Sequence, residues 1–75
     1  MVFEQIREII AEQLNIPQER ITPDTSLLTD IGADSLDIFQ IVSDLEDAFG
    51  VEFSSSIVEE MKTVADAVKY IENNR

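Results

Sequence analysis

The sequence predicts an all-α fold: a small four-helix bundle of three longer helices and one short third helix, with a long loop between helices one and two. Three segments repeat apolar residues at helical spacing, and residues that begin and end helices flank them. Val51-Glu52-Phe53 is too short to found a sheet. With 75 residues and no cysteine, the chain is expected to be a single domain, 1–75, whose one small core rests on helix packing.

The first helix is predicted over Val2 to Leu14. Asn15 suits the left-handed position after a helix, and Ile16 before Pro17 is forced out of the helical region. The helix therefore ends at this point. Its apolar face is expected to consist of Phe3, Ile6, Ile9, Ile10 and Leu14.

Residues 15–33 are predicted to form a long ordered loop, because they contain two prolines, several turn formers and Gly32. Connections of this length are uncommon in compact domains unless they serve a function. We expect the loop to bring Gly32-Ala33-Asp34-Ser35-Leu36-Asp37 to the start of helix two. The residues expected to pin it to the core are Ile21, Leu27, Leu28 and Ile31.

The second helix is predicted to start at Asp34 or Ser35, where Asp34 and Asp37 resemble a capping box, and to end near Phe49 before Gly50. Two apolar residues of this helix, Leu36 and Phe39, fall outside its core stripe. Phe39 either widens the buried face or stays exposed, whereas Leu36, in the first turn, favours a contact surface. The core stripe itself comprises Ile38, Ile41, Val42, Leu45 and Phe49.

The last third of the chain carries two further start signals. Ser56 followed by Glu59 predicts a short third helix through about Met61, and Thr63 followed by Asp66 opens the last helix. The inward face of the last helix is expected to be Val64, Ala67, Val68 and Ile71.

The net charge of −11 makes nucleic acids and anionic membranes poor partners, because both would be repelled. All five basic residues lie outside the stretch from Thr22 to Met61, so a partner that binds the middle of the chain is expected to be basic. No signal peptide and no apolar run of about 20 residues is found, which favours a cytoplasmic protein without stable membrane association.

Ser35 has no candidate base to activate it as a nucleophile, because the chain lacks histidine and no Ser-x-x-Lys pattern starts at Ser35. The acidic residues do not follow the spacing of a calcium loop. We therefore predict neither a catalytic residue nor a metal site. One interpretation of Ser35 is that it caps the helix. The other is that another enzyme modifies it, because Asp34 can already cap the helix and the start of a helix favours an attached phosphate.

The segment Asp30-Ile31-Gly32-Ala33-Asp34-Ser35-Leu36-Asp37 resembles the signature of bacterial acyl carrier proteins of type II fatty-acid synthesis. The likeness continues through Ile21-Thr22-Pro23-Asp24, Leu45-Glu46-Asp47-Ala48-Phe49 and Lys62-Thr63-Val64-Ala65-Asp66-Ala67-Val68. It implies that Ser35, flanked by Asp34 and Leu36, receives 4′-phosphopantetheine from coenzyme A. The thiol of that arm would carry fatty-acyl groups as thioesters, so the protein would be a carrier and not an enzyme.

The resemblance also implies partners and an acyl pocket. Expected partners of the monomer are a phosphopantetheinyl transferase (holo-acyl carrier protein synthase), basic enzymes of fatty-acid synthesis and acyltransferases. Docking is expected at seven residues of helix two: Leu36, Asp37, Phe39, Gln40, Asp44, Glu46 and Asp47. Candidate walls of the acyl pocket are Val42, Leu45, Phe49, Ile57, Met61, Ala67 and Ile71.

The chain departs from the family pattern at Phe39, Gln40 and Ser43, where Val, Glu and Met are usual, and at Ser54-Ser55-Ser56-Ile57. The first three changes alter the outward face of helix two, the serine run replaces a proline and acid-rich entry to the third helix, and none affects the modification chemistry. Two alternatives stay open. One is a specialised carrier for polyketide or other lipid synthesis; the other is an unmodified acidic interaction module, in which Ser35 only caps a helix and Leu36 is a contact.

Overall fold

A computed structural model describes residues 2–74, which form four α-helices joined by loops. They are α1 (Val2–Leu14), α2 (Ser35–Phe49), the short α3 (Ser55–Glu60) and α4 (Val64–Asn74). Within the described residues there is no strand, only one isolated antiparallel bridge between Ser26 and Thr63. The predicted all-α bundle with a short third helix is confirmed.

The core lies where α1 packs against both α2 and α4. Full burial of a large aliphatic side chain stabilises the fold by about 1.5–3 kcal/mol, so this three-helix contact supplies most of the stability. The side chains with at most 2% of their surface exposed come from all three helices and from the loop: Ile6, Ile10, Ile21, Ile41, Leu45, Val64 and Ile71.

Both long-helix ends that the sequence predicts are confirmed by backbone geometry. Asn15 adopts a left-handed φ of 57°, and the N–H of Ile16 donates back to the carbonyl of Ala11 at 3.1 Å. Gly50 has a φ of 68°, and its N–H donates to Glu46 O at 2.9 Å. A left-handed residue after each helix satisfies carbonyls that the helix leaves unpaired.

The loop between α1 and α2 is fixed to the start of α4. The Val64 N–H donates to Thr25 O at 3.0 Å, and the Ala65 N–H donates to Pro23 O at 2.8 Å. Thr25 is itself buried, and its hydroxyl accepts from the Thr22 N–H at 2.8 Å. The loop also contains a 3₁₀ turn, Gln18–Arg20, that the sequence analysis did not predict.

The expectation that Leu28 pins this loop to the core is wrong, because 63% of its side chain is exposed. The Asp30 N–H donates to Ser26 O at 2.9 Å, and Asp30 Oδ2 accepts from the Ser26 N–H at 2.9 Å. These two hydrogen bonds between Ser26 and Asp30 close a tight turn. Leu28 lies near the tip of the turn, so its side chain projects away from the core. The other three residues are buried or half-buried, as expected: Ile21, Leu27 and Ile31.

The start of α3 differs from the prediction, whereas the start of α4 agrees with it. Ser54, not Ser56, caps α3, because its Oγ accepts from the Ile57 N–H at 3.2 Å. At α4, Asp66 Oδ2 accepts from the N–H groups of Lys62 (2.9 Å) and Thr63 (3.1 Å). The Lys62 N–H, with the larger effect, and the Thr63 N–H stabilise the carboxylate. They therefore hold the pKa of Asp66 below its ordinary value.

Candidate functional site

The start of α2 is capped by Asp34, and the predicted capping box is confirmed. Asp34 Oδ1 accepts from the Asp37 N–H at 3.0 Å, while Asp37 Oδ2 accepts from the Asp34 N–H at 3.4 Å. Each aspartate thus satisfies a backbone donor near the other. Helix α2 therefore begins without help from the Ser35 side chain.

Ser35 is the first residue of α2 and is exposed to solvent. Among residues 2–74, no hydrogen bond engages its Oγ. The backbone N–H groups of the first helical residues have no acceptor within a helix, and the helix dipole makes this end favourable for an anion. The hydroxyl is therefore free, accessible and placed where an attached phosphate is tolerated, but no base is positioned to make it attack.

The segment before Ser35 has a defined path. Gly32 adopts a left-handed φ of 77°, a conformation that residues with a side chain rarely adopt. It turns the chain toward the Asp34 cap. The next residue, Ala33, is buried, and its N–H donates to Leu27 O at 2.9 Å. Gly32 and Ala33 therefore fix the position of Ser35 relative to the loop.

A groove of about 480 Å³ runs beside Ser35, between the loop, the first turns of α2 and the region of α3. Its walls are mainly apolar or hydroxyl-bearing side chains. The lining residues are Ser26, Leu28, Thr29, Ser35, Ile38, Phe39, Val58, Glu59, Met61 and Lys62.

Behind the groove lies a small interior cavity of about 20 Å³, enough for about one water molecule. Three residues, Ile38, Val58 and Met61, line both the groove and the cavity. They form the partition between Ser35 and the core. The cavity walls are Ile10, Leu27, Ile38, Ile41, Val42, Leu45, Val58, Met61, Thr63, Val64 and Ala67.

The predicted pocket residues divide between this cavity and the rest of the core. Three of them do not line it: Ile71 is fully buried elsewhere, and Phe49 and Ile57 are half-buried. The sequence analysis missed Val58, and it assigned Ile38 only to the core, although Ile38 follows Ser35 by one helical turn. The predicted residues that do line the cavity are Val42, Leu45, Met61 and Ala67.

The exposed apolar residues of α2 flank Ser35. Leu36 is 77% exposed and Phe39 is 62% exposed, so Phe39 does not widen the buried face of the helix. Gln40 is exposed as well, and its Nε2 donates to Asp44 Oδ1 at 3.1 Å. An apolar surface beside carboxylates is available here for a partner.

The acidic docking candidates differ in how much of each carboxylate is already used within the fold. Asp37 belongs to the capping box, and Asp44 accepts from Gln40. Glu46 Oε2 accepts from the Phe53 N–H at 2.8 Å, which ties the segment after α2 to that helix. Asp47 is exposed and has no such bond within residues 2–74. Its carboxylate is the most accessible of the four.

None of the helices in the described part of the chain is long and apolar enough to cross a membrane.

Comparison with known proteins places these features in a family context. Residues 4–71 match the family model described as a phosphopantetheine attachment site. Two acyl carrier proteins of Helicobacter pylori, from strains G27 and HPAG1, are each 45% identical over 74 residues, covering 99% of this chain and 95% of the relative.

Two solved structures share the fold closely. A putative acyl carrier protein from Mycobacterium tuberculosis superposes with a TM-score of 0.89 at 32% identity, covering 97% of both chains. An acyl carrier protein from Enterococcus faecalis, whose structure was studied for its high thermal stability, gives a TM-score of 0.83 at 34% identity. That match covers 99% of this chain and 94% of the other.

Proposed function

Because this chain belongs to the acyl carrier protein family, we propose that Ser35 is the residue to which its 4′-phosphopantetheine is attached. The protein is a carrier in fatty-acid synthesis and not an enzyme, and its cofactor is 4′-phosphopantetheine. The observation that carries the assignment to Ser35 is its free, exposed hydroxyl at the start of a helix that Asp34 already caps. Asp34 and Leu36 flank this serine and complete the attachment motif.

The surroundings of Ser35 fit the proposed attachment. The serine oxygen would form a phosphodiester with the phosphopantetheine portion of coenzyme A, the bond to the adenylate portion would break, and the serine proton would pass to a base. The chain has no histidine, and Ser35 Oγ has no hydrogen-bonding base within residues 2–74. We propose that the phosphopantetheinyl transferase provides the base in the complex of the two proteins, so that the carrier is modified in trans.

We further propose that the acyl chain passes from the groove into the interior cavity between Ile38, Val58 and Met61. The cavity of about 20 Å³ is too small for an acyl chain, so its walls must move apart. Helix α3 has only six residues, none fully buried, so its displacement disturbs little packing. The walls that would receive the chain include Val42, Leu45, Met61 and Ala67.

The carrier interacts with a phosphopantetheinyl transferase and with fatty-acid synthesis enzymes. We propose that these partners, acyltransferases among them, are basic and dock on α2 around Leu36 and Phe39. Asp47 would give the most accessible charge contact, with Asp37, Asp44 and Glu46 contributing to the acidic field and Gln40 to the rim.

The proposal also includes the state in which the protein works: a monomeric, single acyl-carrier domain, residues 1–75, in the cytoplasm. The net charge of −11 supports it, because like-charged copies repel one another and nucleic acids and anionic membranes are repelled too.

Intact-mass measurement after incubation with coenzyme A, magnesium and a broad-specificity phosphopantetheinyl transferase tests the attachment. Wild type and a matched Ser43→Ala control, also an exposed serine of α2, should each gain one phosphopantetheine. Ser35→Ala should gain none and should remain folded, because Asp34 caps the helix. An unmodified, well-folded wild type would instead favour an acidic interaction module in which Ser35 serves no attachment.

A further inference from the structure

The groove beside Ser35 contains one positively charged side chain. Of the ten residues that line it, Lys62 is the only cation and Glu59 the only anion, and the other eight are apolar or bear hydroxyls. Lys62 and Ser35 border the same space of about 480 Å³, although they lie 27 positions apart in sequence. The fold therefore brings a lysine to the serine that receives the arm.

The charges around Ser35 make this lysine significant. No lysine or arginine occurs between Thr22 and Met61, whereas Asp34 and Asp37 lie directly beside Ser35. A phosphodiester carries one negative charge at neutral pH, so attaching one here adds an anion to an already negative region. Opposite charges across a partly enclosed groove attract more strongly than the same charges in open water. Lys62 is the groove residue that can offset the new charge.

Backbone hydrogen bonds hold Lys62 in place and connect its wall of the groove to the opposite wall. Its N–H donates to Asp66 Oδ2 at 2.9 Å, and the Thr63 N–H donates to the same oxygen at 3.1 Å. Thr63 also forms the isolated bridge to Ser26, a residue of the opposite wall. Because both walls are joined here, the Cα of Lys62 has a defined position beside the groove, and its side chain starts within the same space as Ser35.

We propose that Lys62 pairs with the phosphodiester on Ser35 and holds the base of the 4′-phosphopantetheine arm in the groove. The inference rests on the proposed attachment at Ser35 and adds a positioning residue to it. In the unmodified protein the amine is free to pair transiently with Glu59 or with solvent. After modification, the phosphodiester competes for it, and the first atoms of the arm lie over Ile38 and Met61.

Competitive labelling of lysines tests this pairing in the modified protein. Unmodified and arm-bearing wild type, the latter with its thiol blocked, are treated with a substoichiometric amine-acetylating reagent, and peptide masses report labelling at Lys62 and Lys69. We expect labelling of Lys62 to fall about two- to fivefold on modification, the range of an exposed ion pair, with Lys69 on α4 unchanged. Equal labelling of Lys62 in both forms would overturn the proposal.

Phosphorus NMR of loaded variants provides a second test that does not depend on activity. Intact mass first shows whether wild type, Lys62→Gln, Lys62→Arg and Lys69→Gln carry the arm, so a failure of loading counts against Ser35 and not against Lys62. At low salt, Lys62→Gln should shift and narrow the phosphodiester signal, while Lys62→Arg and Lys69→Gln keep the wild-type signal. A signal identical in wild type and Lys62→Gln would contradict the pairing.

Discussion

The two sides of α2 differ in packing. Toward α1, the helix presents Ile41 and Leu45, which are almost completely buried and whose side chains also form the inner wall of the small cavity. Toward α3, the half-buried Ile38 borders a groove of about 480 Å³ and a cavity of about 20 Å³. One helix therefore separates a side that stabilises the fold from a side that remains open beside Ser35.

The difference follows from the lengths and anchors of the neighbouring helices. Helices α1 and α4 have 13 and 11 residues and several buried side chains each, whereas α3 has six residues and none fully buried. So short a helix has little stability of its own and depends on its surroundings. We therefore expect that movement of α3 enlarges the cavity while the other three helices stay folded.

The largest expected effect is a difference in the free energy of unfolding between two variants, one altered in the packed core on α4 and one altered on α3. Ile71→Ala removes a fully buried side chain and should lower this free energy by about 3 kcal/mol. Val58→Ala in α3 should cost about 1 kcal/mol or less, because Val58 is half-buried and alanine favours helix. Denaturant unfolding measures both, and equal losses would remove the distinction between the two sides.

A smaller loss of stability is expected where α4 begins. Asp66→Asn replaces charge-assisted hydrogen bonds to two backbone N–H groups by neutral ones and should destabilise the fold by about 1 kcal/mol at pH 7. Since the pKa of Asp66 is lowered by folding, its contribution is fully present above the ordinary value of 3.8 and is lost as pH falls through the lower folded pKa.

Unfolding curves of wild type and Asp66→Asn at neutral and acidic pH check this sign. The two proteins should converge in stability at acidic pH, while the exposed-site control Asp24→Asn should stay near wild type throughout. A difference that persists unchanged in acid would show that the charge of Asp66 is not its source.

Charge reversal on the exposed face should affect association and leave the fold intact. Asp47→Lys should slow association with a basic partner such as the phosphopantetheinyl transferase about three- to tenfold at low salt, with a weaker salt dependence than wild type. Glu72→Lys on α4 makes the same change in net charge away from α2 and is the control. Stopped-flow rates that fall equally for both variants would indicate a general effect of charge and not docking on α2.

The smallest expected effect is that of salt on the melting temperature. With a net charge of −11, the folded chain repels itself, so added sodium chloride or magnesium should raise Tm by roughly 2–5 °C. Magnesium, with two charges, should raise Tm at a lower concentration than sodium chloride, because a divalent ion screens the acidic surface more strongly. Calorimetry that finds Tm indifferent to both salts would show that self-repulsion is minor.

The sequence was sufficient to predict the helices because their signals are local. Asn15, Gly50 and the pairs Asp34 with Asp37 and Thr63 with Asp66 act over one turn, and each is found where predicted. The start of α3 was misassigned because each of three consecutive serines can cap a helix; in the structure the cap is Ser54, whose Oγ accepts from the Ile57 N–H.

The parts of the site that depend on tertiary contacts were harder to predict. Periodicity identifies buried residues of a helix but does not tell which of them face a cavity: of the predicted pocket residues, Ile71 does not line the interior cavity, whereas Val58, which was not predicted, does. The exposure of Leu28 depends on a turn closed by Asp30, and the role of Glu46 depends on a bond to Phe53. Both bonds join residues near in sequence, four and seven positions apart, but neither belongs to a helix-cap pattern of the kind used to predict the helices.

Hydrogen exchange of the arm-bearing protein, with and without a thioester-linked saturated acyl chain, tests the division of α2 most directly. Before acylation, amides of α3 should exchange roughly a hundredfold faster than those of α1 and α4. Acylation should slow exchange in α3 and leave the well-protected amides of α1 and α4 nearly unchanged. If α3 is as protected as α1 before acylation, or if the acyl chain alters all helices equally, the two sides of α2 do not have separate roles.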